Sequence, residues 1–115
     1  MSLRWTAPEI LEEMTGTTFE GDIYALGMTI LETMTGEVPY FETVNESALV
    51  LRIARQESLI RPEAKIPPND TRADMLWALM TSCWSYNPDT RPKATEVRDT
   101  VNESYCIGGK YMDQL

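Results

Sequence analysis

From Gly21 to Gly36 the chain reads Gly-Asp-Ile-Tyr-Ala-Leu-Gly-Met-Thr-Ile-Leu-Glu-Thr-Met-Thr-Gly, a run in which apolar residues outnumber polar ones. Ile23, Leu26, Gly27, Ile30, Leu31 and Met34 recur at helical spacing on one face, and Tyr24, Ala25 and Met28 make the opposite face apolar as well. A helix apolar on both sides is expected inside the fold with neighbours all round. Asp22 stands where an N-cap carboxylate accepts from first-turn amides, and Gly36 supplies the left-handed residue that ends the helix.

Four further helices are expected around this one. Pro8 pushes Ala7 toward an extended conformation, so an extended stretch should run into a short helix with Pro8 in its first turn and Glu9 near its start. Asn45 to Gln56 reads as an amphipathic helix, with Ala48, Leu49, Leu51 and Ile53 inward and Arg52, Arg55 and Gln56 outward. Leu59 to Asn69, with Arg61-Pro62 and Ile66-Pro67-Pro68, is too rich in proline for helix or central strand and should be an extended surface connection. Asp70 or Thr71 can cap the next helix, whose apolar positions are Leu76, Leu79, Met80, Cys83 and Trp84. Lys93 to Glu103 forms the last, with Val97 and Val101 facing in, and Ser104 to Leu115 lacks periodicity and reads as a mobile tail. The expected fold class is all-α, a bundle around the Asp22–Thr35 helix.

A length of 115 residues suits one domain, able to bury roughly two-thirds of the surface its unfolded form exposes. The formal charge of −8 and the absence of histidine argue against nucleic acid and membrane surfaces as partners. No apolar run approaches the ~18 residues that span a bilayer, and the N-terminus has no charged-then-apolar signal pattern, so a cytoplasmic location is expected. Cys83 and Cys106 form no Cys-x-x-Cys pair, and without histidine no metal site is expected. Asn45-Glu46-Ser47, Asn69-Asp70-Thr71 and Asn102-Glu103-Ser104 fit the glycosylation pattern but read as caps, turns or surface. Gly108-Gly109-Lys110 lacks the spacing of a phosphate loop. The carboxylate neighbours Glu12 and Glu13, Glu20 and Asp22, and Asp70 and Asp74 fall at helix ends or surface, where solvated carboxylates are common. Trp77, Trp84 and Tyr86 keep a spacing that favours core packing over a binding stripe.

Four motifs in order carry a family resemblance. Arg4-Trp5-Thr6-Ala7-Pro8-Glu9 resembles the end of a protein kinase activation segment, where Ala-Pro-Glu follows the residues that cradle substrate. Asp22-Ile23-Tyr24-Ala25-Leu26-Gly27 resembles the Asp-x-Trp-Ser-x-Gly run that opens the central helix of the kinase C-terminal lobe, with Tyr24 in place of Trp. Thr35-Gly36-Glu37-Val38-Pro39-Tyr40 resembles the Thr-Gly-x-x-Pro-aromatic loop after that helix. Cys83-Trp84-Ser85-Tyr86-Asn87-Pro88-Asp89-Thr90-Arg91-Pro92 resembles the Cys-Trp-x-x-x-Pro-x-x-Arg-Pro signature of tyrosine kinases and tyrosine-kinase-like serine/threonine kinases.

The resemblance implies a partial kinase domain over residues 1–103, from the end of the activation segment to the last helix, with residues 104–115 as tail. It implies that Arg4, Trp5 and Thr6 face substrate, although as an end stretch taken alone they are expected to fray. Ala7, Pro8, Glu9, Asp22, Gly27, Trp84 and Arg91 fall to structural roles, and Glu9 should form a buried ion pair with Arg91. Asp22 also corresponds to an aspartate that accepts from the catalytic-loop backbone. Phosphoryl transfer further requires a glycine-rich loop, a lysine–glutamate pair, a catalytic aspartate with its asparagine, and a magnesium-binding Asp-Phe-Gly. None of these motifs occurs here, so no catalytic, cofactor-binding or metal residue is assigned, and ATP and Mg are implied only for a complete kinase domain. The expected partners are the upstream part of such a domain, or a partner protein covering the central helix, with a protein substrate for the parent. The alternatives are a freestanding kinase-derived interaction module, or a remnant with no function.

Overall fold

A computed structural model of the chain describes residues 3–13 and 16–108. It is helical, with no strand among the described residues: α1 (Pro8–Glu13), α2 (Phe19–Thr35), α3 (Glu46–Ala54), α4 (Thr71–Cys83) and α5 (Ala94–Gly108), plus 3-10 turns at Leu3–Trp5 and Pro88–Thr90. The central helix α2 packs on α4 and on both short turns, and α5 lies against α4, with Val97 sharing a core group with Ile23 of α2.

α2 begins one turn earlier than expected. Its N-cap is Thr18, whose hydroxyl accepts from the Gly21 amide, so Asp22 is not the cap but an exposed residue of the first turn. The earlier start has a packing reason, since it places Gly21 against the Ile10 side chain, where a β-carbon would collide. Gly36 ends the helix as expected, at φ 76° with its amide donating to the Glu32 carbonyl. Thr18→Ala should therefore cost about 1 kcal/mol of stability, the usual worth of an N-cap, whereas Asp22→Ala should cost about 0.3 kcal/mol through the helix dipole alone. Urea denaturation of the two variants separates the assignments.

Burial around α2 is also less complete than its composition suggests. Gly21, Ile23, Tyr24, Gly27, Met28 and Leu31 are buried, but Leu26 shares an open side with Asp22, Thr29 and Thr33. The core divides into three groups. One gathers Ala7, Tyr24, Met28, Tyr40, Leu49 and Ile53; a second gathers Leu31, Ile66, Ala73, Leu76 and Met80; the third holds Ile23, Leu79, Cys83 and Val97. Trp84 touches all three, and meets Trp77 edge to face with centroids 5.6 Å apart. Tyr86 departs from the core reading of the aromatics: it is exposed and donates to Glu12 Oε1 at 2.6 Å.

α3 is capped by Asn45, whose side chain accepts from the Ala48 amide, and it buries Leu49 and Ile53. Ala48 and Leu51 face solvent instead of the core, because nothing among the described residues packs beyond that narrow stripe. The proline-rich connection from Leu59 to Asn69 is not the extended surface stretch expected: it turns at 63–65 and again at 68–69, with the Lys65 and Ile66 amides donating to the Pro62 carbonyl, and it is not purely a surface element. Ile66 is wholly buried, and Arg61 holds the bend by donating to the Ile66 and Pro67 carbonyls and to Asp74. Asp70 caps α4 by accepting from the Ala73 amide. α5 runs on to Gly108, past the expected end at Glu103, and buries Ser104; residues 109–115 of the expected tail lie outside the described residues.

Candidate functional site

The residues expected to face substrate and those expected to support them lie along α2, Glu9 and Arg91 at its first turn and Arg4 and Trp5 at its C-terminal end and the loop beyond. Pro8 opens α1 and so places Glu9 in its first turn, where the unpaired amides favour a carboxylate. Both Glu9 oxygens accept from Arg91, Oε2 from Nη1 at 2.7 Å and Oε1 from Nη2 at 2.8 Å. The two-point geometry fits the planar guanidinium. Arg91 also donates to the Ser85 carbonyl at 2.9 Å and to the Glu20 carbonyl at 2.9 Å, and its guanidinium lies 5.2 Å from the Tyr24 ring centre. One side chain thus joins α1, the first turn of α2 and the loop after α4. Its own exposure is zero, while Glu9 keeps 22 %. Burial alone would push the Glu9 carboxyl up, but the hydrogen bonds and charge of Arg91 outweigh it and hold Glu9 below its ordinary value of 4.5.

The segment ahead of this tether is anchored rather than frayed. Arg4 donates to three carbonyls of the loop after α2, those of Pro39 at 2.9 Å, Tyr40 at 2.7 Å and Thr43 at 2.7 Å. Trp5 donates from Nε1 to Glu32 Oε1 at 3.2 Å, and Thr6, Ala7 and Pro8 are buried. The carbonyls are in place because Tyr40 turns the loop at φ 58°, a left-handed conformation strained for a bulky residue. Its ring is fixed from two sides: Arg52 stacks 5.0 Å from the ring centre, and the core group that also holds Tyr24 and Met28 packs against it. Burial pushes both tyrosines above their ordinary range, so both hydroxyls stay protonated.

Gly27 and Trp84 set the spacing beneath. A β-carbon on Gly27 would stand 2.6 Å from Cys83 Cβ and 2.8 Å from Trp84 Nε1, so glycine is what lets α2 and α4 approach. Trp84 Nε1 is buried there without a hydrogen-bond partner, and burial pushes the Cys83 thiol up to about 11. Asp22, assigned with this supporting group, stands apart from it in solvent. Reasoning from the pattern missed the Thr18 cap, the Arg4 contacts and the left-handed turn at Tyr40. Only the first had a local signal, a threonine three residues before a buried glycine.

ATP and magnesium do not fit the residues present. Among the described residues no three acidic, cysteine or histidine side chains gather as a metal site, and Gly21 and Gly27 face side chains, not an open phosphate cradle. Residues 1–101 match the family described as protein tyrosine and serine/threonine kinase. The chain belongs to that family. The chain is 34% identical over 109 residues to the insulin-like growth factor 1 receptor of Bos taurus, with 94% of the chain and 16% of the relative covered. It is 33% identical over 102 residues to the proto-oncogene tyrosine-protein kinase ROS of Homo sapiens, covering 88% of the chain and 4% of the relative. It is also 30% identical over 96 residues to guanylate cyclase D of Mus musculus, covering 83% of the chain and 8% of the relative. The chain therefore spans a small part of the length of the curated relatives it matches. No helix among the described residues is long and apolar enough to cross a membrane.

Proposed function

We propose that this chain is the substrate-loop base of a protein kinase, and that its parent transfers phosphate from ATP to hydroxyls of a protein substrate in signalling. Within that parent, Arg4, Trp5 and Thr6 form the substrate-facing edge. Glu9, Arg91, Gly27 and Trp84 are positioning residues that hold the edge on α2. The observation that carries this reading is the double anchorage of the segment, to Arg91 through Glu9 and to the loop after α2 through Arg4. A loop that must present a peptide in one geometry has to be held by rigid neighbours, and both anchors end on α2 or on the turn leaving it.

The chain itself assigns no residue to proton transfer, nucleotide binding or metal binding. The first test is the intact mass of the endogenous protein, captured with an antibody to the Ser104–Leu115 sequence. A mass several-fold above 13.1 kDa is expected, and a mass near 13.1 kDa would overturn the parent. In the intact kinase, Arg4→Ala should raise KM for a peptide substrate about tenfold while leaving KM for ATP unchanged, because the anchor acts on the peptide side alone. Equal changes in both constants would remove the positioning role.

A second reading, an interaction module without phosphotransfer, draws on two observations. One relative is named a guanylate cyclase, so similarity at this level extends to proteins named for other chemistry. The open side of α2, with Leu26 on it, also offers a surface to the remainder of a larger protein or to a partner. Phosphate incorporation into Ser, Thr or Tyr peptides by the captured full-length protein favours the kinase; its absence with all motifs present favours the module.

A further inference from the structure

A groove of about 500 Å³ opens at the C-terminal end of α2, on a different side from the tether between Glu9 and Arg91. Its apolar walls are Val38, Pro39 and Phe41 from the loop after α2, and Leu59 and Ile60 from the stretch after α3. Phe41 is 57 % exposed and Ile60 88 % exposed, large values for residues of this size on an acidic, water-facing chain.

The backbone of the second wall matters as much as its side chains. Ser58, Leu59 and Ile60 lie outside any helix, turn or bend, Leu59 and Ile60 border the groove, and within the described residues none of their amides or carbonyls is hydrogen-bonded. Leu59 points into the core and Ile60 out of it, the alternation of a strand with one face packed. A segment of this kind, unpaired and beside an apolar groove, is a template for one more strand.

Charge selects among occupants. Arg52 and Arg61 line the groove but are paired with Glu42 and Asp74. Lys65 lines it with no ion pair among the described residues, and so does Glu37, which sits just past the negative end of the α2 dipole. A ligand suited to both carries a carboxylate and a cation. A second copy of this chain is disfavoured, because each copy carries a net charge of −8.

We propose that this groove binds an extended peptide segment of a partner protein, which pairs its backbone with Leu59 and Ile60. Alternate apolar side chains of the peptide pack on Val38, Phe41 and Ile60, a carboxylate meets Lys65 and a cation meets Glu37. The proposal is independent of whether the parent transfers phosphate.

The probe is a fluorescein-labelled peptide panel built on Glu-Val-Thr-Ile-Thr-Lys, varied at its two apolar positions and read by anisotropy with the whole chain. Amide shifts of the labelled protein locate the binding. Saturable binding with shifts at Leu59 and Ile60 is expected, and Ile60→Asp should weaken it about tenfold, as loss of a central apolar contact does. Ile60 is exposed, so this variant should keep the circular dichroism of the parent chain. Lys65→Glu should weaken the same peptides about fivefold and strengthen those whose glutamate is replaced by lysine. No saturable binding up to about 1 mM, shifts confined to other residues, or affinities indifferent to Lys65→Glu would each overturn the proposal.

Discussion

Replacing Arg91 with alanine is expected to lower the unfolding free energy by about 3–5 kcal/mol, the loss typical when one partner of a buried pair is removed. The expected size follows from what the guanidinium satisfies. It fills both oxygens of Glu9 and the carbonyls of Ser85 and Glu20, and it has no exposure of its own. Glu9→Ala should cost about 3 kcal/mol, the lower end of that range, because two carbonyls remain to share the buried charge. Glu12→Ala is the control. Its carboxylate accepts only from the exposed Tyr86 hydroxyl among the described residues, so about 0.5 kcal/mol is expected. Urea denaturation of the three variants decides the matter, and equal midpoints would mean that the tether does not hold the fold.

The same pair fixes the direction of a pH dependence. Glu9 titrates lower in the folded chain than its ordinary 4.5, so the unfolded chain binds more protons there as pH falls. The stabilisation is complete above about pH 4.5 and is lost as pH drops through the folded value. The stability difference between the parent chain and Glu9→Gln should accordingly shrink in acid. A difference constant from pH 7 to pH 3 would mean that the carboxylate is not selectively held in its charged form.

Gly27→Leu is expected to cost about 3 kcal/mol or more, the upper range for overpacking a tight contact. The informative companion is Gly27→Ala. At an exposed helix position alanine would gain about 1 kcal/mol over glycine, so a loss here reverses the sign expected from helix propensity. The reversal follows from the approach of α4, where an added β-carbon meets Cys83 Cβ at 2.6 Å and the rigid indole of Trp84 at 2.8 Å. Trp84 has little room to yield, since it packs against all three core groups. Thermal denaturation with Gly36→Ala alongside separates packing from backbone strain, because Gly36 has open space around it and loses only its left-handed conformation.

Much of the helical order follows from short-range pattern. Asp70 and Gly36 cap the helices they were expected to cap, Asn45 takes the cap among the roles left open to it, and Leu76, Leu79, Met80 and Cys83 face the core at the spacing that marks them. These are legible because a cap or a helical stripe is specified within a few residues. Where two local choices compete, the pattern misleads. Asp22 is as good a cap as Thr18 by type, but only the earlier start brings Gly21 under Ile10. Ala48 and Leu51 are apolar like Leu49 and Ile53, and only the position of the neighbouring elements tells which of them is covered.

By itself the sequence determined the helical class, most of the boundaries and membership of the kinase family, since local hydrogen bonds, caps and motif spacing are all written along the chain. Tertiary structure alone decided that Arg4 grips three carbonyls of a distant loop, that Tyr40 accepts a left-handed turn, and that Ile66 sinks from a proline-rich connection into the core. It also built the groove beside Ile60 from two loops that are separate in the chain. The physical reason is the same in each case: burial and the capture of a carbonyl depend on what stands opposite in space, and no periodicity along the backbone records that.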